Sequence, residues 1–474
     1  MMRRSRLLAA TSFAAAVSLA LVASGAAAGA PASGRKIVIN TLFSIYDFPG
    51  LDTTLIKRGK EFEKAHPQYE VNVKFAYYQR LPEDVEKAAL AGETPAIASY
   101  NISGTQYALD TLDQNGKPAF TSVNKAIAGR KKILGEPVVV DDLVPAGRRY
   151  YSRSGDLFAL PLSLSTLQLY VNKTLLDKAG VKTVPRTYAE MSAACAALKK
   201  VPGGPKSCMA LANEGKLYMQ ALAQQGVNFA NNDNGRSGRA TTVALNSPAL
   251  VDYATWWQQM HRDGNFLYSG QMEDWGGTFG AFASQEVAFT VTSSFAINYG
   301  VDAAKAANFE FVVAPSPAKQ VPYAGAWLGG EGMYLAAGLD DATRDGALAF
   351  MQFVDNPKNG AEWHRAYGSS PVTNGAYKEL KAEGYYKDHP QHLATVEQIN
   401  ATTAVPGGQS PLVGGFAGIQ QALMRAVDDI LEKNANPWQR LTRADSIAQE
   451  LLTDYNDHCV GPGLRPTTCF LLDS

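Results

Sequence analysis

Six histidines, four cysteines and a glycine cluster are the residues of widest chemical reach in this sequence, and none is spaced for catalysis. His66, His261, His364, His389, His392 and His458 are mostly far apart, and there is no H-E-x-x-H pair and no G-x-S-x-G elbow to present a nucleophile. His389 and His392 flank Pro390 closely enough to touch a metal, although a solvent-facing loop accounts for them better. Cys195 and Cys208 are thirteen residues apart, Cys459 and Cys469 ten. Three connectivities are open, and pairing within each local couple is the most economical. Zinc would want C-x-x-C spacing or interleaved histidines, and only His458 is adjacent, so structural disulfides are expected and no metal. Gly329, Gly330 and Gly332 spell G-G-x-G rather than a dinucleotide fingerprint, and no acidic residue follows at the required distance, so no cofactor is expected. The run from Asn231 to Gly235 begins like a calcium loop, but Thr242 stands where the bidentate glutamate belongs, which leaves a turn.

Composition narrows the field further. With 474 residues, 46% hydrophobic and 19% charged, the chain has material for two or three domains of about 150 residues each. Arg3, Arg4 and Arg6 precede an apolar run from Leu7 to Val22 and small residues at Ala26 to Ala28, the order of a secretory signal, and residues 1–28 are read as one. The apolar run is short for the roughly 20 residues of a membrane span. No cysteine ends the signal to carry a lipid anchor, so an exported, periplasmic, unanchored protein is expected. Without the signal, 41 basic residues face 44 acidic ones. A slightly negative chain with no basic cluster is a poor ligand for nucleic acid.

The elements that must hold any site alternate between strand and helix. Ile37, Val38 and Ile39 make a buried strand; Leu55, Gly59 and Phe62 keep one face of a helix stopped by Pro67; Val71, Val73 and Phe75 alternate as the next strand. Such a β-α-β unit implies a right-handed crossover and a partly parallel sheet, with ligands at the strand ends. Further on, Leu167 to Val171 reads as a strand, Thr187 and Glu190 form a capping box, Val287 to Val291 alternates as a strand and Asp341 to Val354 is a helix. From Val427 the chain is mostly helical until Gly461 and Pro462. Trp256 and Trp257 share a helical pattern with Tyr253 and Met260, which points to packing; Trp363 and His364 also belong to a helix.

Four blocks resemble extracellular solute-binding proteins of ABC importers, most closely the glycerol-3-phosphate-binding subgroup of the carbohydrate-type family. They are Ala91 to Ile97 (AGETPAI), Gly155 to Pro161 running through Ser165 and Thr166 to Lys173, Phe289 to Ser294 (FTVTSS), and Phe350 to His364 (FMQFVDNPKNGAEWH) continuing to Gly368–Thr373 and Glu383–Pro390. They span nearly the whole mature chain in family order. The resemblance implies an α/β, two-lobed periplasmic-binding-protein fold of type II, its lobes joined by crossing strands around a ligand cleft. Crossings are expected near Leu162 to Tyr170, Val287 to Ser294 and Gly329 to Tyr334. Lobe one would hold residues 35–165 and 292–331, lobe two residues 166–291 and 332–474. The implied function is capture of a small molecule and its delivery, by a monomer, to the permease subunits of an importer. A ligand that swings such a cleft from 1:99 to 99:1 needs roughly 5.5 kcal/mol of preference for the closed form.

The same resemblance implies cleft positions at Tyr78, Asn101, Ser165, Ser293 or Ser294, and Gly330. It fails where the family has a tyrosine and this chain has Ser369, where a phosphate-binding arginine gives way to Gln420, and where tryptophans expected near Asn213 to Lys216 are absent. Glutamine cannot reproduce arginine's bidentate grip on phosphate, so glycerol-3-phosphate is disfavoured unless Arg80 or Arg425 substitutes. What remains resembles a neutral polar site. Tyr46, Tyr78, Trp275 and Trp327 would stack on the C–H face of a sugar, and Asp47, Asn101, Asp274, Glu331 and Gln420 would take hydroxyls. A saccharide or polyol is the expected solute, a glycerophosphodiester or glycerol phosphate the next. The alternatives are a secreted glycan-binding lectin and a glycoside-active enzyme, which needs only two carboxylates roughly 5 to 9.5 Å apart.

Overall fold

The computed structural model describes residues 35–46, 50–462 and Cys469. The signal segment and Asp47 lie outside the described residues. Lys36–Ser474 forms one compact unit, built on two sheets.

The expected β-α-β unit opens the first sheet. Strand Ile37–Ile45 runs parallel to Tyr69–Tyr77 and to Ile97–Asn101. The intervening helix Leu51–Ala65 buries Leu55, Gly59 and Phe62, as the spacing requires, and ends before Pro67. Gly329–Ala336 joins antiparallel to Ile97–Asn101, and Phe120–Thr121 and Leu160–Ser165 pair with it in turn. Helix Asp341–Val354 covers this sheet, with the Phe350 ring set edge-on to Phe62 at 5.3 Å.

The second sheet takes the order Phe266–Leu267, Ser207–Leu211, Val287–Ser293, Leu167–Asn172, Phe311–Pro315. Its helices include Tyr188–Leu198, opened by the Thr187–Glu190 capping box, and Pro248–Arg262, where Trp257 is fully buried and Trp256 stacks on Tyr188 at 4.5 Å. Cys195 bonds Cys208 and Cys459 bonds Cys469, the local pairing.

The chain changes sheet at Thr166, between Leu160–Ser165 and Leu167–Asn172, as expected of the first crossing. This point is tied down from several directions. Thr166 Oγ1 donates to the Trp327 carbonyl at 2.9 Å and accepts from Gln398 Nε2 at 2.9 Å, while Ser294 N donates to Thr166 O at 2.9 Å. At Gly330 the backbone has φ +112°, and a Cβ there would sit 2.1 Å from the Ser163 carbonyl oxygen, so only glycine fits.

Strand pairing departs from the sequence expectation at the second crossing. Val287–Ser293 pairs with Leu167–Asn172 and Ser207–Leu211 and stays within the second sheet. Helix Ile297–Ala307 and strand Phe311–Pro315 follow it there, although residues 292–331 were expected in lobe one. The return to the first sheet comes between Pro315 and Gly329, and residues 332–336, expected in lobe two, continue the first-sheet strand. An isolated alternating strand carries no mark of which sheet it joins.

Candidate functional site

The parallel strands of the first sheet end side by side, and their ends supply one wall of a cavity. Tyr78 follows directly on Tyr69–Tyr77, and Asn101 closes Ile97–Asn101. The Tyr78 ring stacks on Tyr46 with centroids 4.9 Å apart. Asn101 is held from both sides: Nδ2 donates to the Tyr46 hydroxyl and Oδ1 accepts from Ser103 N, each at 2.9 Å. Burial first, then the Glu331 carboxylate, pushes the Tyr46 hydroxyl well above the usual phenol range, so Tyr46 remains a donor as well as an acceptor.

The facing wall comes from helices of the second half. Glu214 caps helix Gly215–Gln225 by accepting from Lys216 N at 2.6 Å. Its carboxylate also lies 2.7 Å from the Lys216 ammonium, with the side chains 4% and 20% exposed. Burial alone would lower the Lys216 pKa, but Glu214, Tyr78 and Glu273 together outweigh it and hold the ammonium charged. Glu273 moves upward, by burial and then by Glu214. Gln420, on helix Phe416–Glu432, is buried and its Nε2 meets no acceptor. Gly215 makes room for it, since a Cβ there would stand 2.6 Å from that nitrogen.

Between the walls is a cavity of about 180 Å³, lined by Tyr78, Asn101, Ser103 and Tyr107 on one side and by Glu214, Lys216, Glu273 and Gln420 on the other. It offers a ring face, a neutral amide, an unmet donor, one ammonium and two carboxylates. That equipment suits hydrogen bonding to a small polar molecule.

Three residues expected at the site, Tyr78, Asn101 and Gln420, meet at this cavity, and Tyr46 stands directly behind Tyr78. The other expected residues that the structure describes do not line it. Ser165, Ser294 and Gly330 surround the sheet crossing, where the Ser294 hydroxyl accepts from Thr166 N at 3.3 Å. Ser293 Oγ accepts from Phe295 N at 3.3 Å. Trp327 is buried there too, its backbone N–H donating to Gln220 Oε1 at 2.7 Å. Trp275 opens helix Trp275–Ala283, half-buried against the core, and Asp274 caps that helix by accepting from Gly277 N at 2.7 Å. Ser369 is fully buried, its carbonyl 2.5 Å from His364 Nδ1. Glu331 lies beneath the Tyr46 side of the wall. Arg80 sits 3.8 Å from Asp84, and Arg425 donates to Gln421 Oε1 at 3.2 Å; neither lines the cavity. The Asn231–Gly235 segment is a left-handed turn in which Asn234 Oδ1 accepts from Phe229 N and Ala230 N.

Sequence reasoning missed Glu214, Lys216 and Glu273. The signal is a Glu-x-Lys pair at the start of helix Gly215–Gln225, a stretch where the resemblance implies tryptophans instead.

Two α/β sheets exchanging strands at a tight crossing, with a polar cavity between their strand and helix ends, define a type II periplasmic binding fold. The model of the bacterial extracellular solute-binding protein family matches residues 57–395, and the chain belongs to that family. The sn-glycerol-3-phosphate-binding periplasmic protein UgpB of Shigella dysenteriae is 26% identical over 445 residues, 91% of this chain and 96% of the relative. The same protein of Escherichia coli K12 is also 26% identical over 445 residues. Among solved structures, the sugar-binding protein MalE of Xanthomonas citri superposes with a TM-score of 0.72 at 16% identity, covering 89% of this chain and 98% of that one. UgpB of Mycobacterium tuberculosis, in complex with glycerophosphocholine, superposes with a TM-score of 0.65 at 20% identity, covering 87% and 98%. The protein is therefore a solute-binding component of an ABC importer, and these relatives are binding proteins rather than enzymes or lectins. Its family works outside the cytoplasm, and among the described residues no helix is long and apolar enough to cross a membrane.

Proposed function

We propose that this chain captures a small, uncharged, hydroxyl-rich solute, a saccharide or polyol, in the cavity between Tyr78 and Gln420 and delivers it unchanged to a membrane permease. The observation that carries this reading is the charge of the lining. Two carboxylates face one ammonium, that ammonium is already paired at 2.7 Å, and no arginine is among the lining residues described. A phosphate entering here would meet repulsion without a bidentate donor. The relatives that bind glycerol-3-phosphate or glycerophosphocholine favour a second reading, a glycerophosphodiester whose single negative charge reaches Lys216.

The reading extends to the rest of the molecule. The chain acts as a monomer without nucleic acid, after removal of residues 1–28 and without a lipid anchor. Following strand pairing, lobe one comprises residues 36–165 and 329–354, and most of the remaining chain forms lobe two.

A thermal-shift screen followed by calorimetry tests the solute class, because a ligand that binds only the folded form raises its melting temperature. Sugars or polyols should bind in a one-to-one complex. Tight binding of glycerol-3-phosphate would overturn the charge argument, and turnover of any glycoside would overturn the binding-protein reading.

A further inference from the structure

Two arginines of one loop reach from the second-sheet half of the molecule into the first. The loop is Asn231–Gly235 with the stretch that follows it, the segment that begins in sequence like a calcium site. Its asparagines serve the loop's own fold. Asn231 Oδ1 accepts from Thr241 N at 2.9 Å and from Thr242 N at 3.1 Å, and Asn232 Nδ2 donates to the Arg239 carbonyl at 2.7 Å. The loop is fastened to helix Pro437–His458, where Asn456 Nδ2 donates to the Ala240 carbonyl at 2.9 Å and Asp445 Oδ1 accepts from Leu245 N at 2.7 Å. That helix packs on Pro248–Arg262, so loop and helix are both tied to the second-sheet half.

What the arginines grip belongs to the other half. Helix Thr105–Asp110 comes one turn after the first-sheet strand Ile97–Asn101 and ends in Asp110, which is buried. Arg239 holds that carboxylate with both terminal nitrogens, Nη1 donating to Oδ2 at 2.9 Å and Nη2 to Oδ1. The Tyr455 hydroxyl, from helix Pro437–His458, donates to Oδ2 at 3.1 Å. Arg236 reaches the start of the same short helix through Tyr150. Its Nη1 donates to the Tyr150 carbonyl at 3.0 Å and its guanidinium lies 4.7 Å from the centre of that ring, while Tyr150 Oη donates to Thr105 Oγ1 at 3.0 Å.

This seam adjoins the cavity. Tyr107, one turn before Asp110, is a lining residue, and its ring meets Tyr455 edge-on with centroids 5.5 Å apart. Moving the halves apart at this edge would strip a buried carboxylate of a two-pronged, charge-assisted partner. Contacts that exist in only one arrangement of two lobes bias the balance toward it by their free energy there.

We propose that Asp110, Arg239 and Tyr455 form a latch between the two halves, which holds the cavity walls together in the solute-free protein and so raises its affinity for solute. The latch stands whatever the solute is; its effect on affinity rests on the proposed binding function.

Small-angle scattering of the solute-free protein tests the latch. Arg239→Gln should have a larger radius of gyration than the wild type at unchanged helix content by circular dichroism. Arg239→Lys, which keeps the charge but not the two-pronged grip, should fall between them. A pair that served folding alone would lower the melting temperature and leave the radius of the folded protein as it was, so equal radii would overturn the proposal. Should Arg239→Gln fail to fold, Tyr455→Phe, which removes a single donor, is read in the same way and decides. Calorimetry with maltose as probe then reads affinity, which scales with the closed fraction. Binding should be about fivefold or more weaker in Arg239→Gln and partly restored in Arg239→Lys. Equal affinities would overturn the effect on solute capture. If maltose fails to bind the wild type, the saccharide reading fails, and scattering alone decides the latch.

Discussion

Tyr78 and Asn101, at the strand ends of the first sheet, meet a solute as a ring face and an amide, whereas Glu214, Lys216 and Glu273 across the cavity meet it as charges. The first wall is assembled before any solute arrives, since the Tyr46–Tyr78 stack and the two hydrogen bonds of Asn101 fix its shape. The second keeps one strong internal partnership, Glu214 with Lys216, and one unmet donor, Gln420 Nε2. A pre-built neutral wall supplies shape at low ordering cost. A charged wall supplies selectivity, because it rejects whatever carries the wrong sign.

The largest effect should come from breaking the ion pair. Lys216→Met leaves Glu214 shielded from water without its partner, a loss of roughly 3 to 5 kcal/mol in stability, read as a lowered denaturant midpoint and accompanied by loss of solute binding. A slightly smaller effect is expected from the carboxyl behind the first wall. The Glu331 pKa is raised in the folded state, so its stabilising contribution is complete below its unfolded value near 4.5 and is lost as pH rises through about 7. Glu331→Gln should abolish that decline, a difference of roughly 3 kcal/mol by pH 8, visible in melting curves taken across the range. Gln420→Leu should weaken solute binding by about 1 kcal/mol, as one hydrogen bond is lost, and leave the unliganded protein as stable or slightly more so, because an unpaired buried donor disappears. Reduction of Cys459–Cys469 should lower the melting temperature by removing a short closed loop, read by calorimetric melting with and without reductant.

The same contrast explains what sequence could and could not reveal. Ile37–Ile45, Leu51–Ala65 and Tyr69–Tyr77 follow from hydrophobic spacing, whereas Tyr78 and Asn101 follow only from the family resemblance. Gln420 likewise follows only from the resemblance, as the residue standing where the family has its arginine. Ser165, Ser294 and Gly330, expected on the crossings, surround the crossing at Thr166 together with Trp327, where hydrogen bonds and backbone proximity decide their place. Spacing along the chain reports neither. Glu214 and Lys216 read in sequence like an exposed helix start, whereas in the fold Gln420 of Phe416–Glu432 packs against Gly215 between them. Whether Val287–Ser293 crossed or stayed depended on pairing with Leu167–Asn172, a contact more than a hundred residues distant in sequence.

Calorimetry of the wild type, Tyr78→Ala and Lys216→Met against maltose, glycerol, glycerol-3-phosphate and glycerophosphocholine tests most directly whether a solute sits between these two walls. The prediction is one-to-one binding of an uncharged solute, weakened by about 1 kcal/mol when the ring is removed and abolished when the ammonium is removed. Binding that survives both substitutions at full strength would contradict it.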